Sequence, residues 1–65
     1  MSNLKKMRES KGMSQSKLSE ASGVNLRMIQ HYEQRYKDIN KAQVVTALRL
    51  AEALGCDVRK ILEIQ

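Results

Sequence analysis

Proline, tryptophan and phenylalanine are all absent from this 65-residue chain, and cysteine occurs once. Without proline, nothing in the sequence forces a break inside a helix. A single cysteine, Cys56, cannot form an internal disulfide, and a lone thiol with no signal-peptide pattern ahead of it fits a reducing compartment, so a cytoplasmic location is expected. No apolar run approaches the roughly 18 residues that a membrane span needs, so no membrane partner is expected. No stretch alternates apolar and polar residues over a strand's length, which leaves no expected strand. The chain is short enough to be read as a single domain, residues 1–65. A domain of this size hides only about 60% of the surface its unfolded chain exposes, so its stability is modest unless a partner subunit braces it.

What the chain does carry is positive charge, and it is unevenly placed. The formal net charge is +5. Residues 1–41 hold nine Lys/Arg against four Asp/Glu, whereas residues 42–65 hold three of each. A basic surface confined to one part of a molecule points to a polyanion, with nucleic acid ahead of anionic lipid. The competing reading is that the lysines keep a small protein soluble.

The three glycines punctuate the rest. Gly12, Gly23 and Gly55 each follow a helical apolar pattern, where the chain turns left-handed. Ser14, Asn25, Asn40 and Asp57 precede the next apolar pattern as candidate N-caps, and Asn40 has Gln43 three residues on, as in a capping box. This predicts five helices, roughly 3–11, 15–22, 26–34, 41–54 and 58–63. Their buried faces are expected to carry Leu4 and Met7, then Leu18 and Ala21, then Ile29 and Tyr32. The fourth helix contributes Val44, Ala47, Leu48, Leu50, Ala51 and Leu54, and Val58, Ile61 and Leu62 close the bundle. Cys56, following Gly55, is expected as core filler.

Residues 15–32 read as helix, glycine turn, helix, beside a longer apolar helix. With Leu26 at 0° on the third helix, Ile29 falls at about 300° and Tyr32 at about 240°, which marks the inward side. Gln30 at about 40°, Arg27 at about 100° and His31 at about 140° share the opposite flank, with no acid among them. A helix fits the major groove of B-DNA, where each base pair displays its own donor and acceptor pattern. Arg27, with guanine as its natural bidentate partner, is therefore the leading base-reading candidate, and Gln30 and His31 are candidates for bases or phosphates. Ser14, Ser16, Lys17, Asn25, Arg35 and Lys37 are candidate backbone contacts. Met28 borders the face and is expected to pack or to touch the DNA backbone.

The ordered set Leu4, Arg8, Gly12-Met13-Ser14-Gln15, Leu18, Gly23-Val24-Asn25, Ile29, Tyr32-Glu33 and Leu50-Ala51-Glu52-Ala53-Leu54-Gly55 resembles the phage-repressor (Cro/C1-type) helix-turn-helix family, over about nine-tenths of the chain. The resemblance implies an all-α fold, a compact five-helix bundle of the lambda-repressor-like DNA-binding type, with a core at about 14–34. It implies sequence-specific binding of double-stranded DNA by a transcriptional repressor or regulator. It further implies that Gln15 clamps a phosphate and supports the recognition helix, that Leu26 touches bases, and that Arg8 pairs with Glu33. Ser19 and Ser22 depart from the family's small apolar residues, and their hydroxyls are expected to bond back to the preceding turn. Arg35 stands where the family often has glycine, which predicts strain in the loop over 34–38.

One such domain offers a small interface, so a homodimer on a two-fold symmetric operator is expected, with Ile61, Leu62 and Ile64 as candidate dimer contacts. The rival classes are weaker. No nucleophile–base pair, phosphate-cradling glycine loop or facing pair of acids points to an enzyme. One cysteine and one distant histidine make no metal set, and no cofactor is implied. A bundle this small is expected to have little room for a substrate pocket of about 300 Å³. A protein-docking module such as an antitoxin or adaptor on the same scaffold is the alternative, but such a face would want exposed apolar anchors.

Overall fold

The computed structural model describes residues 2–63. Four α-helices follow in order: α1 (Asn3–Ser10), α2 (Gln15–Ser22), α3 (Leu26–Glu33) and α4 (Val44–Leu54). A 3-10 turn at Ile39–Lys41 precedes α4 and a second at Val58–Lys60 follows it, and no strand occurs among the described residues. The all-α class stands, but the five-helix bundle does not: the segment expected as a fifth helix over 58–63 is the 3-10 turn at Val58–Lys60. Asp57 caps it by accepting from the Arg59 N–H, and so short a segment gains too few backbone bonds to become an α-helix.

The first three helices start where side-chain oxygens take up free N–H groups. Ser2, Ser14 and Asn25 accept from the backbone of Lys5, Lys17 and Arg27 respectively. The fourth start differs from expectation. Asn40 caps nothing; Asp38 caps the 3-10 turn instead, and α4 begins at Val44 behind a Gln43 whose side chain makes no capping bond. Asn40 is used at long range. Its amide group exchanges two hydrogen bonds with the backbone of Glu63, accepting at 2.8 Å and donating at 3.1 Å. On the other side Asn3 donates to the Leu62 carbonyl at 2.8 Å and, through its backbone N–H, to Glu63 Oε1 at 2.7 Å. The segment after the second 3-10 turn is thereby pinned to the start of α1 and to the first 3-10 turn.

Leu4, Leu18, Ile29, Leu50 and Ile61 are the fully buried large side chains, joined by Val24, Tyr32, Ile39, Ala51 and Leu54. Burying each large aliphatic group contributes about 1.5–3 kcal/mol. Met7, Met28, Val58 and Leu62 pack partly against this core, as does Cys56, whose thiol pKa is raised by burial. Several faces differ from the periodicity reading. Ala21 is exposed and Ser22 takes the buried place one turn after Leu18. On α4 the inward stripe is Ala47, Leu50, Ala51 and Leu54, while Val44 and Leu48 are 72% and 43% exposed. Ile61 is wholly buried, which removes it as a dimer contact; Ile64 lies outside the described residues.

The turn between α2 and α3 explains the buried serine. Gly23 closes α2 at φ 74°, a left-handed conformation that glycine adopts without a Cβ penalty. Val24 follows, buried, and both its peptide groups are satisfied by α2 serines. Ser19 Oγ donates to the Val24 carbonyl at 2.6 Å, and Ser22 Oγ accepts the Val24 N–H at 3.1 Å. The two hydroxyls thus bond forward into the turn rather than back into the helix.

Candidate nucleic-acid interface

The third helix owes its orientation to a buried ion pair at its last residue. Arg8 Nε donates to Glu33 Oε2 at 2.7 Å and Nη2 to Oε1 at 3.0 Å, a bidentate arrangement. The Glu33 side chain is 2% exposed and that of Arg8 10%. The hydrogen bond to Glu33 raises the Arg8 pKa above its ordinary value, against the opposing effect of burial. Gln15 Nε2 donates to the same Glu33 carboxylate, at Oε1, at 3.0 Å, and Arg8 Nη1 reaches the Met13 carbonyl at 2.7 Å. One carboxylate therefore joins α1, the first residue of α2 and the end of α3.

At the other end of α3, Asn25 Oδ1 accepts the Arg27 N–H at 2.8 Å. Ile29 and Tyr32 enter the core, and burial raises the Tyr32 pKa. Arg27 is exposed on the outer flank, where Gln30 and His31 are half-buried, and Leu26 is half-buried. The His31 ring lies edge-on to Tyr36, with centroids 5.8 Å apart at 73°, and its Nδ1 is buried without a hydrogen-bond partner among the described residues. Ser14, Lys17, Asn25, Arg35 and Lys37 are exposed. Arg35 has φ 63°, the only non-glycine residue with positive φ among those described. Its guanidinium stands 3.6 Å from a Glu63 oxygen, an exposed contact of little energetic weight.

A cleft of about 470 Å³ separates the end of α3 from the start of α4. It is larger than the size of the chain suggested, because the connection over 34–43 is anchored to the core through Ile39 and Ala42 and leaves a gap beside Met28 and Tyr32 of α3. Met28 and Tyr32 line one side and Lys37, Asp38, Lys41, Ala42, Gln43 and Thr46 the other, so the far wall carries one acid between two lysines. Lys41, Gln43 and Thr46 escaped sequence reasoning because the expected helix over 41–54 hid the connection that leads into them. Tyr36, 75% exposed beside His31, was also missed; a large aromatic in a basic loop was the available signal.

Electrostatically the arrangement offers cations and hydrogen-bond donors around α3 and withholds that helix's one carboxylate, Glu33, inside the Arg8 and Gln15 contacts. Among the described residues no group of three metal-ligating side chains gathers, and no helix is long and apolar enough to cross a membrane. A family model described as helix-turn-helix matches residues 4–61. No curated protein and no solved structure matches the chain.

Proposed function

The chain belongs to the phage-repressor (Cro/C1-type) helix-turn-helix family of DNA-binding regulators, and from that premise we propose that it is a sequence-specific transcriptional repressor whose α3 lies in the major groove. The observation that carries this reading is the acid-free outer flank of α3, with the helix's single carboxylate turned inward to Arg8. Arg27 is the principal base reader, taking guanine O6 and N7, and Gln30, His31 and Leu26 meet neighbouring base edges. Ser14, Ser16, Lys17, Asn25, Arg35 and Lys37 hold phosphates, with Met28 against the backbone. Gln15 does two things at once: its amide fixes Glu33, and its place at the start of α2 sets it beside a phosphate. Lys41 extends the backbone contacts from the far wall of the cleft.

Residues 1–65 act as one DNA-binding unit with its core at 14–34, working in the cytoplasm as a homodimer on a two-fold symmetric operator. The same scaffold could instead dock a protein, as in an antitoxin or adaptor. That reading would place apolar anchors along α3, whereas the large hydrophobic side chains with the greatest exposure are Tyr36, Val44, Val45 and Leu48, all outside it. Fluorescence anisotropy with random-sequence duplex, repeated across salt concentrations, tests the proposal. Binding is expected to weaken with a log–log slope of about −0.9 per neutralised phosphate. No binding even at low salt contradicts it and favours a protein partner.

A further inference from the structure

Taking α3 as the helix that lies in the major groove, as proposed above, we infer that Tyr36, beyond the end of that helix, is a positioning residue for base selection. Its ring holds the His31 imidazole with Nε2 facing outward as a hydrogen-bond donor, and His31 then selects a base with an acceptor edge. Tyr36 is 75% exposed, and its one aromatic neighbour among the described residues is His31, on the outer flank of α3.

The backbone brings the two rings together. After Gln34 caps α3, the Arg35 N–H bonds to the Tyr32 carbonyl at 3.2 Å and the Tyr36 N–H to the His31 carbonyl at 2.9 Å. These two bonds make the Schellman ending, in which the residue after the cap is left-handed and the side chains that close the ring touch. The first helix ends in the same way around Gly12, with the Met13 N–H on the Arg8 carbonyl at 3.2 Å. In α3 the left-handed place falls to Arg35 at φ 63°, a conformation that a residue with a Cβ rarely adopts. Closing the ring sets Tyr36 edge-on to His31, with centroids 5.8 Å apart and planes at 73°.

Ring orientation matters because the two nitrogens of an imidazole are unlike. The outer torsion of histidine is soft, so an unrestrained surface histidine presents either edge and either tautomer. Here Nδ1 is enclosed and without a hydrogen-bond partner among the described residues, whereas Nε2 is not enclosed. A proton on Nδ1 would be a buried donor facing no acceptor, while a proton on Nε2 can be given to water or to DNA. The ring proton therefore sits on Nε2. An outward N–H finds acceptors at guanine N7 and O6, adenine N7 and thymine O4, but meets another donor at the cytosine amino group. Arg27 on the same flank also only donates, which leaves Gln30 as the one side chain of the three able to accept from a base.

Tyr36→Ala and Tyr36→Phe test this, with melting curves to check folding, and Tyr36→Leu serves if the alanine variant does not fold. Imidazole nitrogen shifts, measured by NMR without DNA, should show the Nε2–H tautomer in the parent and in Tyr36→Phe, and a mixture of tautomers in Tyr36→Ala. Sequences selected from a random duplex library should be depleted of cytosine at one position of each half-site for the parent and for Tyr36→Phe. Tyr36→Ala should lose that discrimination by about two- to tenfold and keep the preference at every other position. On a His31→Ala background, Tyr36→Ala should change base preference no further. A Tyr36→Ala protein that binds all sequences more weakly with its preferences intact overturns the inference, because a purely structural role predicts that result. So does a uniform loss of affinity in Tyr36→Phe, which would mark a phosphate contact through the hydroxyl, or an Nδ1–H tautomer in the parent. An Nε2–H tautomer that depends on Tyr36 in a protein binding no duplex would instead leave the ring contact standing and remove the DNA reading beneath it.

Discussion

The two ends of α3 are fixed in opposite ways. Its start is secured by local chemistry: Gly23 in a conformation natural to glycine, two α2 serines on the peptide groups of Val24, and the Asn25 cap. Its finish is secured across the fold, by Arg8 and Gln15 on the carboxylate of Glu33, and a left-handed arginine follows two residues later. The start therefore sets where the helix begins, and the finish sets how it lies against α1 and α2. The difference teaches that the direction of α3 depends on contacts far apart in sequence, 25 residues for the Arg8 pair.

Breaking the finish should have the largest effect. Glu33→Ala leaves the Arg8 guanidinium buried and unpaired, which costs about 3–5 kcal/mol, a large part of the stability of so small a domain. Thermal unfolding should show a steep drop in melting temperature. Replacing both partners by apolar residues, as in Arg8→Met/Glu33→Leu, should recover much of the loss, because no isolated charge then remains. Equal melting temperatures for Glu33→Ala and parent would show that the pair does not hold the helix.

Loosening the start comes next. Ser19→Ala and Ser22→Ala each leave one buried peptide group of Val24 without its partner, at about 1–3 kcal/mol apiece. Faster amide exchange at Val24 in the Ser22→Ala protein would localise the damage to the turn. Unchanged exchange there would mean that the turn is held by Gly23 alone.

Relieving the strained residue should act in the other direction. Arg35→Gly is expected to raise stability by about 1 kcal/mol, since a left-handed arginine costs about 1–2 kcal/mol that glycine avoids in part. The same variant should bind DNA less tightly, with a salt slope shallower by about 1 if Arg35 holds a phosphate. A destabilised Arg35→Gly would show that its contact with Glu63 outweighs the strain.

The smallest effect is a pH dependence from the core between these ends. Burial holds the Tyr32 and Cys56 pKa values above their ordinary 10.0 and 9.0. For these groups the neutral form is the one the folded state favours, so the stability they add is complete below the unfolded pKa and is lost as pH rises through the folded one. The melting temperature should therefore hold through neutral pH and fall above about pH 9, and Tyr32→Phe should lessen the fall. An identical alkaline profile for parent and Tyr32→Phe would exclude Tyr32 as a cause.

The same contrast between local and distant contacts governs what the sequence made readable. The bounds of α2 and α3 were legible because Ser14, Asn25 and Gly23 act on residues within a few positions of themselves. Asn40 misled for the opposite reason: its partner, Glu63, is 23 residues away, and local spacing with Gln43 looks the same whether or not a cap forms. Periodicity assigned Val44 and Leu48 to the core because it cannot tell where the core stops along a helix. It preferred Ala21 to Ser22 because it ranks apolar above polar and does not register that a serine hydroxyl can serve a buried backbone group. At the candidate site, the polar flank of α3 followed from helical geometry alone. The cleft with Lys41 did not, because it depends on the path of a connection that no periodic pattern describes.

Selection of bound sequences from a random duplex library, run in parallel with the parent and with Arg27→Ala, tests the central claim most directly. The parent should enrich a symmetric motif, and Arg27→Ala should lose about 1–3 kcal/mol of preference at one base pair in each half-site while keeping the rest. Enrichment of no motif by the parent, or of an undiminished motif by Arg27→Ala, would contradict the assignment of α3 as the reading helix with Arg27 at its centre.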